Sequence, residues 1–509
     1  MQTKSARKVV VIGAGIGGLT AAALLAHRGY EVLTLDQALV PGGCASTFKR
    51  QGFTFDVGAT QVAGLEPGGI HHRIFSELAI DLPPATYCDP ACAVFLPGET
   101  EPIRVWRDPE QWKAERQRQF PGSEPFWQLL NDLFRYSWAF QSRDPVLPPR
   151  NIWDLWQLTK AVRPDTLLTL PHTFSTVGDA LRRYGLANGS QSERQSQRRL
   201  HTFLDLQLKL YSQVDADETA LLYAATALSV SQAPQGLFHL QGSMQVLSDR
   251  LVEALERDRG KLLMRHTIEQ IHTEGNRTTG VTIRNQKTGE SWFEPADHVV
   301  ANVTVQNLVE LLGEAAPKGY RHRVDKLLPA SGAFVIYLGV DRAAIPADCP
   351  PHLQFLYDYE GTIGENNSLF VSVSHEGDGR APTGKATIIA SSFTDTRAWA
   401  NSGDYEGMKQ QYAAEAIEKL GQYFTLNPET IVYQEAATPR TFQRFTARAD
   451  GIVGGIGQRI PTFGPFGFAN RTPVQNLWLV GDSTHPGEGT AGVSYSALTV
   501  VRQIEALTS

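Results

Sequence analysis

Cysteine is scarce. Four residues in 509, Cys44, Cys88, Cys92 and Cys349, are too few and too scattered for a disulfide framework, so a reducing compartment is expected. Cys88 with Cys92, or His71 with His72, could hold a metal only with further ligands, and no His or Cys cluster elsewhere completes a tetrahedral set, so no metal is expected. Long apolar runs are also missing. The most apolar internal stretch, Thr219 to Val230, is shorter than the about 18 residues of a membrane-spanning helix and contains Tyr223. A net charge of −6 leaves no basic excess for nucleic acid. No Ser/His/Asp set or paired carboxylates stand out. There is no short-period repeat, and the polar stretch Gln191 to Arg199 reads as a loop.

What the chain does have is glycine in one telling place. Val9-Val10-Val11-Ile12 is a short apolar run of the buried-strand type, and Gly13-Ala14-Gly15-Ile16-Gly17-Gly18 follows it at the spacing G-x-G-x-x-G. Gly13 permits the tight turn, Gly15 lets backbone approach a pyrophosphate, and Gly18 lets the helix Leu19 to His27 pack on the strand. The helix start supplies free N–H groups and a positive dipole end for phosphates. A second strand, Glu31 to Leu35, ends in Asp36, where an acid can accept the adenosine ribose hydroxyls. Lys4, Arg7 and Lys8 before an apolar run imitate a secretory leader, but a cleaved leader has no use for the glycine spacing or Asp36.

Three later segments extend this unit. Gly42-Gly43 can bring a second loop to the cofactor, and the alternation Phe53, Phe55, Val57 reads as a strand. In mid-chain a helix from Gln245 to Arg257 precedes strands at 261–264, 267–273, 281–283 and 297–302, with a turn at 276–279. At the far end, strand Asn476 to Val480 meets Gly481-Asp482, and Gly487-Glu488-Gly489-Thr490-Ala491-Gly492 opens a last helix. An acid at a strand's carboxyl end can bind ribityl or pyrophosphate hydroxyls, and a helix start can stabilise a reduced ring. The glycine-rich stretch 451–457 lacks a preceding apolar strand and reads as a close-approach loop. The chain is therefore expected to be α/β: a Rossmann-type, doubly wound FAD-binding domain (1–95, 236–310 and 440–509) with an inserted mixed α+β substrate-binding domain (96–235 and 311–439). The insertion holds six tryptophans between Trp106 and Trp156, strands 334–338 and 386–390, and a helix at 405–420.

With these segments in order, the chain resembles, from end to end, the flavin-dependent amine oxidase and carotenoid desaturase/isomerase superfamily. The residues concerned are Gly13, Gly15, Gly18, Asp36, the Gly42-Gly43 pair, Gln51 to Gly58, and Gly481 to Gly487, the last similar to the closing signature of the phytoene-desaturase branch. The resemblance implies non-covalent FAD held by Gly13, Ala14, Gly15, Gly17, Gly18, Asp36, Gly42, Gly43, Cys44, Ile268, Gly481, Asp482, Gly492 and Val493, with Ile268 near the adenine. Closer in, Gly43 to Thr47, Val57 to His71 and His485 to Gly489 resemble carotenoid 3′,4′-desaturases. Two positions depart from the pattern: Cys44 stands where many relatives have Arg, and Glu488 where the desaturase branch commonly has Gly.

The resulting expectation is an oxidoreductase that makes a conjugated double bond in a carotenoid end group, hydride going to flavin and proton to a base or solvent, and electrons then to a quinone or oxygen. Glu488, between two glycines, is the candidate acid/base, and His485 is a second candidate facing the ring. A carotenoid cis/trans isomerase of the same fold and a flavin-less prenyl-protein escort are the alternatives. On the stretch Asn151 to Val162, Ile152, Leu155, Trp156 and Thr159 share a helical face with basic flanks, as an interfacial helix would. The expected location is peripheral, on the cytoplasmic side of a thylakoid or plasma membrane, without signal peptide or transmembrane helix.

Overall fold

Val9 and Val11 pack into one core and Val10 and Ile12 into another, so the first strand, Lys8–Ile12, is covered on both faces. That is the condition for a parallel sheet, and it explains a run of valines without polar alternation. The computed structural model describes residues 7–186 and 191–507; Lys4 lies outside the described residues. The sheet has five parallel strands in the order Lys261–Met264, Glu31–Asp36, Lys8–Ile12, His298–Ala301, Leu477–Leu479. Chain direction across the sheet reverses on either side of the first strand, which makes its carboxyl end the place where a doubly wound fold binds ligands.

The helix Ile16–His27 is buried from Ile16 to Ala26. Helices Gln245–Arg257 and Thr490–Glu505 sandwich it, the neighbours an all-apolar helix needs. Its approach to the strand depends on Gly18, where a Cβ would stand 2.0 Å from the Gly13 carbonyl oxygen. An antiparallel meander, His266–Glu274, Arg277–Asn285 and Ser291–Pro295, is appended to this layer.

The second sheet has seven strands in the order Ile431–Ala437, Gly332–Asp341, Lys385–Thr394, Ser368–Val373, His352–Leu356, Cys92–Phe95, Ile103–Val105. Cys92–Phe95, grouped with the cofactor lobe by sequence, pairs here instead, parallel to His352–Leu356. A short apolar strand does not disclose its partner. Helices cover the remaining side. Residues 191–199, read as a loop, begin the helix Gln191–Ser212. From Gln195 to Arg199 the helix is exposed or half-buried, and its later turns bury Leu200, Phe203, Leu204 and Leu208. Trp112 and Trp127 sit in this helical core and clasp the Arg116 guanidinium, at 5.5 and 5.2 Å, rather than facing a ligand.

Arg380 joins the layers. Its guanidinium donates to Asp56 Oδ2 at 3.0 Å, to Asp378 Oδ2 at 3.1 Å and to the Leu240 carbonyl at 2.8 Å, while Asp56 Oδ1 accepts from the Met244 amide that starts helix Gln245–Arg257. All three charged side chains are buried. Arg380→Met would leave two buried carboxylates without their cation, so a loss of about 3–5 kcal/mol in urea-unfolding stability is expected; an unchanged midpoint would contradict this role.

Candidate functional site

The two glycine turns meet back to back. The Gly42 amide donates to the Ala14 carbonyl at 2.8 Å, and a Cβ on Gly43 would lie 3.3 Å from Gly15 Cα. Asp36 closes the turn from the other side: Oδ2 accepts the Ala14 amide at 2.6 Å and Oδ1 the Ala38 amide at 2.8 Å. Burial pushes the Asp36 pKa up, and the amides of Ala38 and Ala14 pull it down. A carboxylate has about four lone-pair sites, so two remain open to a ligand.

Around this cradle lies one cavity of about 1200 Å³, above the roughly 300–1,000 Å³ usual for a ligand site and so roomy enough for a dinucleotide and a second ligand. Gly13, Gly15, Gly17, Asp36, Gly42, Gly43, Cys44, Ile268, Gly481, Asp482, Gly492 and Val493 all line it, as do His485 and Glu488. Ala14 and Gly18 lie behind the lining, Ala14 giving its amide to Asp36 and Gly18 packing on Gly13. Close-packed glycine backbones, a helix start and an acid at a strand end fit the FAD expected from sequence. Among the described residues no group of three or more His, Cys, Asp or Glu side chains is placed to hold a metal.

The cavity continues beyond the cradle into an apolar limb between the helical lobe and the second sheet, with Leu210, Leu222, Tyr223, Val230, Phe370 and Phe463 among its walls. Of the tryptophans in the insertion, Trp138 lines it.

Glu488 stands on the cavity wall just before helix Thr490–Glu505. Its Oε2 accepts from Gln213 Nε2 at 2.9 Å and from the Gly455 amide at 3.2 Å; Oε1 is buried without a partner among the described residues. Burial, reinforced by the charge of Asp482, pushes its pKa up to about 8 against those two hydrogen bonds. At neutral pH the carboxyl is mostly protonated, and since Oε2 already accepts twice, the proton belongs on Oε1. The glycine-rich loop reaches this group: Gly454 has φ +70°, and a Cβ there would stand 2.3 Å from Oε2.

His485 is buried and held neutral, its pKa lowered to about 4 by burial. Its Nε2 lies 2.8 Å from Gln141 Nε2 and 3.2 Å from Oε1, so the hydrogen-bond partner is a side-chain amide, not the backbone. Sequence reasoning did not pick out Asn302, whose side chain underlies Gly15 and Gly17, nor Gln213 or Arg448. Asn302 had a local signal, the carboxyl end of a buried strand; the other two had none.

The raised Glu488 pKa has a stability consequence. Between about pH 4.5 and 8 the folded state binds more protons than the unfolded one, so the contribution is complete below pH 4.5 and is lost as pH rises through 8. Glu488→Gln stays neutral throughout. Its melting temperature relative to the parent is expected to rise from about pH 5 to about pH 8 and to level off above that; a flat difference would contradict a buried, protonated carboxyl.

Comparison with known proteins agrees with this geometry. Residues 16–505 match the family described as flavin containing amine oxidoreductase. Prolycopene isomerase 1, chloroplastic, from an Oncidium hybrid cultivar is 27% identical over 508 residues, covering 98% of this chain and 83% of that protein. The zeta-carotene-forming phytoene desaturase of Myxococcus xanthus is 26% identical over 510 residues, covering 98% and 94%. The solved structure of cyclohexylamine oxidase from Brevibacterium oxydans superposes with a TM-score of 0.62 at 18% identity, over 98% of this chain and 100% of that one, a likeness of fold alone. The chain thus belongs to the flavin containing amine oxidoreductase family, an oxidoreductase whose cofactor is FAD.

Proposed function

We propose that the protein is an FAD-dependent carotenoid desaturase that introduces a double bond at C3′–C4′ of a carotenoid end group. The observation that carries this reading is the single cavity, in which the glycine cradle opens directly into an apolar limb. Narrowing to the end group and bond rests on the resemblance around Gly43 to His71 and His485 to Gly489. When bound, FAD supplies the two-electron hydride acceptor. The apolar walls align a polyene and exclude water. Glu488, with a pKa of about 8, has an ionised fraction near neutrality that takes up the proton released by dehydrogenation at low cost. His485 stays neutral and serves as a wall group beside Gln141. Electrons leave to a quinone or oxygen.

Carotenoid cis/trans isomerisation is the second reading, favoured by the similarity to prolycopene isomerase and by a carboxyl protonated at neutral pH, which could lend a proton to a polyene and take it back. Anaerobic incubation of flavin-loaded protein with candidate carotenes separates the two. Desaturation gives a product two hydrogens lighter, absorbing at longer wavelength, with one flavin reduced per double bond; a product of unchanged mass with no net flavin reduction overturns it in favour of isomerisation.

A substrate that dissolves in lipid needs a route to the cavity, and a membrane surface is the proposed source. Among the described residues no helix is long and apolar enough to cross a membrane. The helix Ile152–Ala161 exposes Ile152 (88%) and Trp156 (56%), and Leu167, Leu168, Leu170 and Phe174 are exposed after it, with Leu170 also lining the cavity. Lys160 and Arg163 give this patch the cationic edge of an interfacial element. Trp153, half-buried within 5.9 Å of the Arg502 guanidinium, faces inward. The protein is expected to float with liposomes of mixed neutral and anionic lipid, and Ile152→Glu with Trp156→Glu to weaken flotation while leaving the melting temperature intact; undiminished flotation would move the contact elsewhere.

A further inference from the structure

The second sheet's lobe sends one cation into the cofactor cavity. Arg448 lies in a loop that follows the helix Pro439–Thr446 and runs from Ala447 to Gly457 with five left-handed residues, Ala447, Asp450, Gly451, Gly454 and Gly457. Two of these are not glycine, and such backbone persists only where its surroundings hold it. What holds it is visible: Val453 donates to the Ser331 carbonyl at 3.0 Å, and Arg448 spans the loop from within, Nε donating to the Ile452 carbonyl at 2.9 Å and Nη2 to the Gly454 carbonyl. The same Nη2 pairs with Asp482 Oδ2 at 2.8 Å. Arg448 lines the cavity with Gly43, Cys44 and Asp482. Burial opposes its charge, but Asp482, with smaller contributions from Cys44 and Glu488, holds its pKa above the ordinary value.

The donor count is informative. A guanidinium has five N–H groups, and Nη1 has no hydrogen-bond acceptor among the described residues. Loop support and the Asp482 pair use Nε and Nη2 and leave the two Nη1 donors of a residue that lines a ligand cavity. A cation in a poorly solvated cavity acts strongly on any anion beside it. FAD has two anionic parts, the pyrophosphate in both oxidation states and the ring after reduction.

We propose that Arg448 is a cofactor-binding residue, its free guanidinium edge supplying the positive charge that faces an anionic part of FAD. The readouts are the dissociation constant of oxidised FAD, by titration of cofactor-free protein, and the reduction potential of the bound cofactor. Neither needs a substrate, so the outcome is independent of the carotenoid reading. If the pyrophosphate is the contact, Arg448→Met weakens oxidised FAD at least tenfold. If the reduced ring is the contact, affinity for oxidised FAD stands and the potential falls by about 30 mV or more, the two-electron equivalent of a tenfold preference. Cys44, which senses the charge of both Arg448 and Asp482, is the place to return the cation. Cys44→Arg in the Arg448→Met background restores the lost affinity or potential without restoring the carbonyl contacts of the loop. The proposal is overturned if Arg448→Met changes neither quantity, or if Cys44→Arg repairs nothing, because the loss then comes from the loop. Should Arg448→Met alone fail to fold, the double variant decides: parental affinity and potential support the assignment, and their loss overturns it.

Discussion

The Ala14 amide donates to Asp36 at 2.6 Å, and the geometry of the site follows from that contact. It ties the glycine turn after the first strand to the end of the second, so the helix Ile16–His27 starts in one orientation with its free amides toward the cavity. The Gly42 amide then bonds the Ala14 carbonyl, docking the second glycine loop on the first. A side chain at Gly18 would collide with the Gly13 carbonyl and push helix from strand. These contacts are backbone to backbone or backbone to carboxylate, which makes the cradle rigid before any ligand enters.

Polar chemistry at the far end of the cavity is sparse and deliberate. The Glu488 pKa is pushed up to about 8, and its state is set by burial and by a neighbouring Asp482 whose own charge is paired with Arg448. Three chain segments far apart in sequence converge on that carboxyl: Gln213 after a helix of the insertion, Gly454-Gly455 from the second sheet's lobe, and Glu488 at the last helix. The acid therefore forms only when both lobes are assembled, and the buried Arg380 network is among the contacts that hold them together.

Local signals carried the cofactor half of the site. Strand, glycine turn, helix and terminal acid lie within residues 8–36, and each has its own chemical signature, so the sheet could be read directly; Gly13, Gly15, Asp36, Gly43 and Asp482, named from the sequence as candidates, line one cavity. The helix Gln245–Arg257 was equally clear, since its apolar residues recur on one face. What could not be read was pairing and direction. Cys92–Phe95 looks like any buried strand until His352–Leu356 lies beside it, and Gln191–Ser212 opens with residues equally at home in a loop or on a solvated helix face. Tryptophan content does not mark the cavity: Trp112 and Trp127 are packing residues, while Leu210, Leu222, Tyr223 and Phe463 line the cavity. Arg448 and Gln213 belong to no motif; only folding brings them to the site.

The central claim is that one cavity holds the cofactor on the glycine cradle and an apolar substrate in its continuation, with Glu488 between them. A crystal structure of the protein with FAD and a carotenoid tests it most directly. The account predicts the adenosine ribose on Asp36, the pyrophosphate at the start of helix Ile16–His27, the ring near Glu488, and a polyene end against Tyr223 and Phe463. Cofactor density away from the glycine turns, or a polyene bound outside this cavity, would contradict it.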